Sequence, residues 1–526
     1  MNSIWNNNLA AFKKRFPQLA QIINAPADGV APAKIWELVC AKSGEITAVE
    51  NGIRLHSAYN PVREANTAVS QNEVSEKSTT VFYGFGLGYH VIEWAKRYTN
   101  RKLILIEPDA YYFLASLSVL DWSPVFKLEN LIIAVGCPPE SVLQLLEDGS
   151  TVNVGNSGVS DAYYFDIPAF QNHAKPYFDV VKSLIKRNQR KNEINAATLK
   201  KFGKLWCRNS KKNLPQLLYC SPISVLENKT QLPFFIVGAG PSLEKVLPII
   251  AEIKKRTIIV CVETALRALL RAGVRPDFII LTDPQFWAYR HIAGLMAPDS
   301  VLISEVSAYP SVFRFLCKKI MLCGSQFPIG QWFENKFNLN IGDLGTGGSV
   351  ASAAWNFAHY CGADTIYTAG LDFSFPGKQT HIKGSSAEQT YHTISNRLST
   401  IDKFTAATIF SANAIMAKDY NGNPVITDSR MKMFSWWFEA RLAACPETKT
   451  YTICPEGLQT PGITPSTVEE ILKLPEITDQ KKEFIQLCMT CEPTLDTKKE
   501  ALLKKELNQF PNQDFLEKYS FLKEYL

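Results

Sequence analysis

Residues 234–246 read FFIVGAGPSLEKV. The apolar run at 234–237 predicts a strand, and it breaks at once into Gly238-Ala239-Gly240-Pro241-Ser242. Beyond the turn, Leu243, Val246, Leu247 and Ile250 fall on one face of a helical pattern. Strand, glycine turn and helix N-terminus together make an anion seat. Glycine lets a phosphate approach the backbone, and the helix end supplies free N–H groups and partial positive charge. A nucleotide or sugar-nucleotide is therefore expected near the middle of the chain.

The same alternation continues downstream. Strands are expected at 234–238, 257–262, 277–283, 301–305, 320–324 and 365–372, with helices between them. Such a series implies a largely parallel sheet covered by helices on both faces, with ligands at the carboxyl ends of the strands. Those ends carry Gly238 and Gly240, then Glu263-Thr264, Thr282-Asp283 and Asp372.

Upstream, residues 1–165 read as a separate Rossmann-like α/β unit. VFYGFGLGYHVIEWAKRY (81–98) is strand, glycine turn and helix, and the next strand, 103–107, ends in Glu107-Pro108-Asp109. Glu107 stands near the place where an acid meets a ribose in nucleotide-binding βαβ units, but Tyr89 breaks the GxGxxG spacing. The turn either binds a ligand or only packs helix on strand. Between 181 and 213 lie eleven Lys or Arg against the single acid Glu193. With a partial apolar stripe, that segment reads as a basic helix: a face for an anionic donor or acidic partner, or a solvated connector. The fold class is thus α/β, a central doubly wound Rossmann-like domain with a second N-terminal α/β domain and a helical C-terminal region. The boundaries fall at 1–165, 166–230 (basic helical linker), 231–463 (catalytic domain) and 464–526.

Composition narrows the class. Of 526 residues, 46% are hydrophobic and 20% charged, and the net charge of +6 is small for this length. That is ordinary globular composition, with no pointer to nucleic acid. No signal-peptide pattern opens the chain, and the longest uncharged run, 344–363, holds four glycines and His359 and is not a membrane span. The twelve cysteines are scattered apart from one CxxC at 488–491, so reduced cysteines in the cytoplasm are expected and no metal site is assigned.

A second anion cradle is expected at Gly345-Thr346-Gly347-Gly348-Ser349, before the apolar helix that follows. It lacks the lysine and the spacing of a P-loop, which argues against ATP or GTP hydrolysis. GLDFSFPGKQTH (370–381) leaves a strand with Asp372 and enters a loop bearing Lys378 and His381, with His392 further on. Carboxylate, amine and imidazoles at a strand end can remove a proton from a hydroxyl. The alternative is that Asp372 caps a turn and both histidines are surface residues. No DxD occurs around Asp283, so a divalent cation, if used, is held loosely through phosphate.

IVGAGPSLEKV (236–246), TIIVCVETALRALLRAGVRPDFIILTDPQ (257–285) and GTGGSVASAAWNFAHYCGADTIYTAGLDFSF (345–375) resemble the central domain of motility-associated-factor (Maf) glycosyltransferases. IRLHSAYNPVREA (53–65), GFGLGYH (84–90) and PEGLQTPGI (455–463) extend the likeness over about 50–465. The resemblance implies a glycosyltransferase for flagellar assembly and motility. It would move a nonulosonic acid, such as pseudaminic or legionaminic acid, from a CMP-activated donor to Ser or Thr of flagellin. It also implies a likeness to bacterial sialyltransferases and to a pterin pyrophosphokinase family. In the sialyltransferase pattern the CMP-holding segments match Gly238, Gly240, Pro241 and Ser242; Glu263 and Thr264; Asp283; and Thr346, Gly347, Gly348 and Ser349. Glu263 and Asp283 stand near positions where that pattern has asparagine. Its base is a histidine in the loop after the 365–372 strand, so His392, His381 or Asp372 is the expected base. Lys378 or Arg397 would meet the sugar carboxylate.

Two other classes stay open: a pyrophosphokinase-like phosphotransferase needing ATP and Mg²⁺, and a nucleotide-binding flagellar adaptor that transfers nothing. For the N-terminal unit, S-adenosylmethionine is a further candidate ligand, beside a role in positioning the protein acceptor. The expected setting is cytoplasmic, without nucleic acid or membrane, and monomer or oligomer is left open.

Overall fold

The computed structural model describes residues 3–27, 30, 32, 34–147, 162–345 and 347–526. It divides into two compact units, 1–200 and 201–526. Among the described residues no helix is long and apolar enough to cross a membrane.

The first unit is built on a parallel sheet ordered Leu131–Val135, Lys102–Glu107, Thr79–Tyr83, Ala162–Phe165. A small antiparallel sheet of Glu37–Cys40, Ile46–Glu50 and Ile53–Arg54 joins it. The glycine turn after Thr79–Tyr83 is filled by protein. A Cβ on Gly84 would stand against the Phe170 carbonyl, one on Gly86 would be 2.8 Å from His56 Nε2, and one on Gly88 would be 2.5 Å from the Trp122 ring. The Leu87 N–H donates to His56 Nε2 at 2.9 Å. Burial, aided by His90, lowers the His56 pKa to about 3, so the ring stays a neutral acceptor. Glu107 meets no open ribose site; its carboxylate pairs with His173 Nε2 at 2.8 Å, and Tyr112 stacks on that imidazole at 3.7 Å. The cavity beside them measures about 10 Å³, too small for a nucleoside. Of the two sequence readings, packing of helix on strand is the one observed. Titrating the intact chain with S-adenosylmethionine should leave its thermal midpoint unchanged; a dose-dependent rise would reopen the ligand reading.

The basic segment forms one helix, Lys175–Asn213. Near its end, Asn209 Nδ2 donates to the Pro284 carbonyl at 2.9 Å, and Asn213 Nδ2 to those of Val306 and Ala308 at 2.9 and 2.7 Å. These amides hold the loops that follow two strands of the second unit.

Among its described residues the second unit holds a nine-stranded sheet, all parallel. Its order is Ile463–Pro465, Lys449–Thr452, Thr365–Ala369, Phe234–Val237, Ile258–Val262, Phe278–Ile280, Ala297–Ser304, Cys317–Leu322, Ser221–Pro222. FFIV, IIVCV and FII are buried at every position, as a strand covered on both faces requires. The strand order reverses between Phe234–Val237 and Thr365–Ala369, and an open α/β sheet offers its ligand crevice at such a switch.

Two boundaries differ from the sequence reading. Ser221–Pro222, inside the expected linker, supplies an edge strand, and Ile463–Pro465 supplies the other edge. The C-terminal helices also belong to this unit rather than to a separate region. Helix Thr478–Thr490 inserts Phe484 and Cys488 into the core, with Phe484 edge-on to Phe234 at 6.3 Å.

Candidate functional site

At the switch, two glycines meet. Gly238 N–H donates to the Ala369 carbonyl and Gly240 N–H to the Gly370 carbonyl, both at 2.8 Å. A Cβ on either Gly238 or Gly370 would stand against the other's carbonyl oxygen, and Gly370 also has φ +68. Here glycine serves the contact of two strand ends. Gly370→Ala should cost about 1–3 kcal/mol through that contact, with a further strain term, read as a lowered urea midpoint. An unchanged midpoint would mean the two strand ends can part freely.

The turn beyond is also occupied from within. Asp372 Oδ2 accepts from the Ser242 N–H at 3.1 Å, and the Ser242 hydroxyl donates to Asp372 Oδ1. A Cβ on Gly240 would stand against the same carboxylate. Asp372 thus sits where the sequence reading seats a phosphate. Burial pushes its pKa up to about 6 against the pull of the Ser242 hydrogen bonds. The expected helix after the turn is broken into 3₁₀ pieces, Pro241–Lys245 and Leu247–Ile249, before Ile250–Arg256 turns α-helical. Pro248 inside the apolar stripe explains the break, since it has no N–H to give.

A different set of groups is left unsatisfied nearby. Glu263 and Arg267 lie one turn apart on helix Glu263–Arg271, and His381 lies in the loop after Asp372. Glu263 Oε2, Arg267 Nε and His381 Nδ1 are buried and have no protein partner. His381 is brought in by its loop: the Ile382 N–H donates to the Ala239 carbonyl at 2.9 Å, and Arg271 Nη1 donates to the Gly384 carbonyl at 3.2 Å. The His291 imidazole lies within electrostatic reach of His381 and Arg267, and it shares a short hydrogen bond with the Ser386 hydroxyl. Burial lowers its pKa to about 4 and lowers that of His381 as well, so both rings are neutral near pH 7.

Glu263 is buried beside Asp283, and the two effects, burial first, push its pKa from 4.5 to about 8. A protonated carboxyl carries no charge and can donate a hydrogen bond as well as accept one. Asp283, raised by burial, accepts from the Gln285 N–H at 2.7 Å in a local turn. Between about pH 4.5 and 8 the folded chain binds a proton at Glu263 that the unfolded chain releases, so this group lowers stability as pH rises. Glu263→Gln should remove that slope. From pH 5 to 8 the wild type should lose on the order of 3 kcal/mol relative to the variant, measured by urea unfolding at both pH values. Parallel profiles would show that Glu263 ionises normally.

The other sequence candidates are placed as follows. Thr264 is half-buried on the first turn of its helix. Thr346 lies outside the described residues. Ser349 caps helix Val350–Tyr360 in a reciprocal capping box with Ser352, and a Cβ on Gly347 would collide with the Ser352 side chain. A Cβ on Gly348, which has φ +71, would lie 3.6 Å from the Phe434 ring. His392 is exposed on helix Ser386–Ile394. Gly238, Gly240, Ser242, Asp372, Glu263, Asp283 and His381 therefore lie at the carboxyl end of the sheet. Arg267, His291 and Ser386 were not singled out from sequence. The i,i+4 spacing of Glu263 and Arg267 was the available signal.

A family model described as the glycosyltransferase Maf N-terminal domain matches residues 54–165. Another, 6-hydroxymethylpterin diphosphokinase MptE-like, matches 208–378. Two uncharacterized proteins of Treponema pallidum (strain Nichols) are similar. One is 33% identical over 39% of this chain, and the other 29% identical over 47%. The matches span 59% of the first relative's length and 85% of the second's. The solved structure of the MAf glycosyltransferase from Magnetospirillum magneticum AMB-1 superposes with a TM-score of 0.60 at 17% identity, over 99% of this chain and 81% of that one. At this identity the superposition speaks to the fold. Residues 54–165 are thus similar to the N-terminal domain of Maf glycosyltransferases, and residues 208–378 to the MptE-like diphosphokinase family.

Proposed function

We propose that this chain transfers a nonulosonic acid from its CMP-activated form to a Ser or Thr hydroxyl of flagellin. The observation that carries the reading is the trio of buried, unpartnered atoms: Glu263 Oε2, Arg267 Nε and His381 Nδ1. Buried polar groups without partners are costly, and a ligand that supplies the missing partners relieves that cost. Protonated Glu263 and cationic Arg267 suit the phosphate of the donor and the carboxylate of its sugar. Neutral His381 suits removal of the acceptor proton. In the step itself the bond from sugar carbon to CMP oxygen breaks, and its electron pair leaves on CMP. The acceptor oxygen bonds to that carbon while its proton passes to His381. The transition state is oxocarbenium-like, as in other glycosyl chemistry.

The diphosphokinase-like match over 208–378 favours a second reading, transfer of diphosphate from ATP. Calorimetric titration with CMP and, separately, with ATP and Mg²⁺ divides the two. Saturable CMP binding followed by a mass increase of flagellin supports the sugar transferase. ATP binding with silence to CMP supports the second reading. CMP binding with flagellin mass unchanged on adding the CMP-sugar would leave a nucleotide-binding adaptor.

A further inference from the structure

At the amino ends of the same sheet, away from the crevice, His359, Cys445 and Glu447 each offer one ligand atom, and these atoms lie within 4.8 Å of one another. They form the one such group of three among the described residues. We propose that these side chains bind a zinc-like divalent cation, with a fourth position open to the adjoining cavity. This inference does not depend on the transferase reading.

The three ligands are fixed by local structure. Cys445 ends helix Ser429–Ala444, and the Thr448 N–H donates to the Cys445 carbonyl at 3.2 Å, closing a turn with Pro446 at its first corner. That turn points Cys445 and Glu447 toward the last helical turn of Val350–Tyr360, which carries His359. His359 Nδ1 shares a hydrogen bond of 2.8 Å with Thr448 Oγ1, and its ring stacks on Trp355 at 5.2 Å. Nε2 is left toward Glu447 Oε1, 4.0 Å away. A hydrogen bond on one imidazole nitrogen orients the other toward a metal, as outer-shell partners do in known sites.

Imidazole, thiol and carboxylate together suit zinc, and three protein ligands with one open position is its usual arrangement where another molecule must reach the ion. The cavity has a volume of about 790 Å³ and is lined in part by His359, Glu447, Thr448 and Asn356. Coordination requires the atoms to close in, and the exposed Glu447 arm can do so. On binding, the Cys445 thiol releases its proton to solvent and the thiolate joins the metal. Arg441 is the opposing charge. Its Nε donates to Asn356 Oδ1 at 3.1 Å and its guanidinium lies 5.8 Å from the Trp355 ring centre, which holds it against the helix.

The full chain, stripped with chelator and then titrated with Zn²⁺, tests this. One equivalent should bind and raise the thermal midpoint. Co²⁺ in its place should give a thiolate charge-transfer band. Cys445→Ser should abolish that band, and Cys445→Ser and His359→Gln should each weaken Zn²⁺ binding at least about tenfold. If Cys445→Ser fails to fold by circular dichroism, His359→Gln and the exposed Glu447→Gln carry the comparison. Failure of the wild type to retain zinc, or equal binding and equal stabilisation in the variants, overturns the site.

Discussion

Replacing His381 with alanine should lower the rate of glycosyl transfer by about 10²–10⁴-fold, the usual worth of a positioned general base. CMP binding should survive, because the imidazole is assigned to the acceptor proton. His392→Ala should keep the wild-type rate, since His392 stands on an exposed helical face. Asp372 is a poorer base than its elevated pKa suggests, because both its oxygens are engaged by Ser242. The measurement is single-turnover transfer to flagellin followed by mass, with CMP affinity determined on the same preparations. Full activity in His381→Ala, or its loss in His392→Ala, would move the base out of this crevice. Loss of CMP binding in His381→Ala would instead make the imidazole a donor ligand.

Lys481→Ala should be the most damaging substitution for stability, at about 3–5 kcal/mol. Lys481 is buried, and its ammonium donates to Asp277 Oδ2 at 3.1 Å, to the Thr257 carbonyl at 2.8 Å and to the Lys254 carbonyl. Asp277 in turn accepts from the Ile259 N–H at 2.8 Å, so one ion pair ties helix Thr478–Thr490 to the central strand Ile258–Val262. Removing the lysine leaves the buried Asp277 with only Lys254 Nζ, 4.0 Å from Oδ1, as a counter-charge among the described residues. Lys481→Met paired with Asp277→Asn removes both charges and keeps an acceptor for Ile259, so the double variant should cost less than the sum of the singles. Urea unfolding measures all of these. A loss below 1 kcal/mol for Lys481→Ala would mean that water or Lys254 compensates the Asp277 charge.

The central strands were legible because their residues are apolar on both faces. Phe234–Val237, Ile258–Val262 and Thr365–Ala369 lie where the sequence puts them, within a residue or so at each start. The edges were not. Lys449–Thr452 is mostly polar, and Ser221–Pro222 and Ile463–Pro465 are two- and three-residue pieces containing proline. None of these has a periodicity to detect. The glycine-turn motif lies at the reversal of strand order, but spacing could not reveal that Asp372 already occupies the turn. That contact joins residues 130 positions apart. Burial likewise decides the chemistry of Glu263, which composition alone would count as an ordinary negative charge. Arg267 and His291 escaped because each looks like a helical surface residue in the sequence; the fold buries Arg267 Nε and hydrogen-bonds His291 to the Ser386 hydroxyl.

The pairing of Phe234 with Ile366 also has a kinetic meaning. Roughly 130 residues must be ordered or looped out before the two walls of the crevice can meet, and such long-range closure is slow. Until then the strand Phe234–Val237 has one bare edge, four apolar residues long, which is a template for association with other chains. During synthesis that edge waits for the ribosome to deliver residues 365–369. The crevice is therefore among the last parts of the second unit to form, and a fragment ending before Thr365 would lack one of its walls.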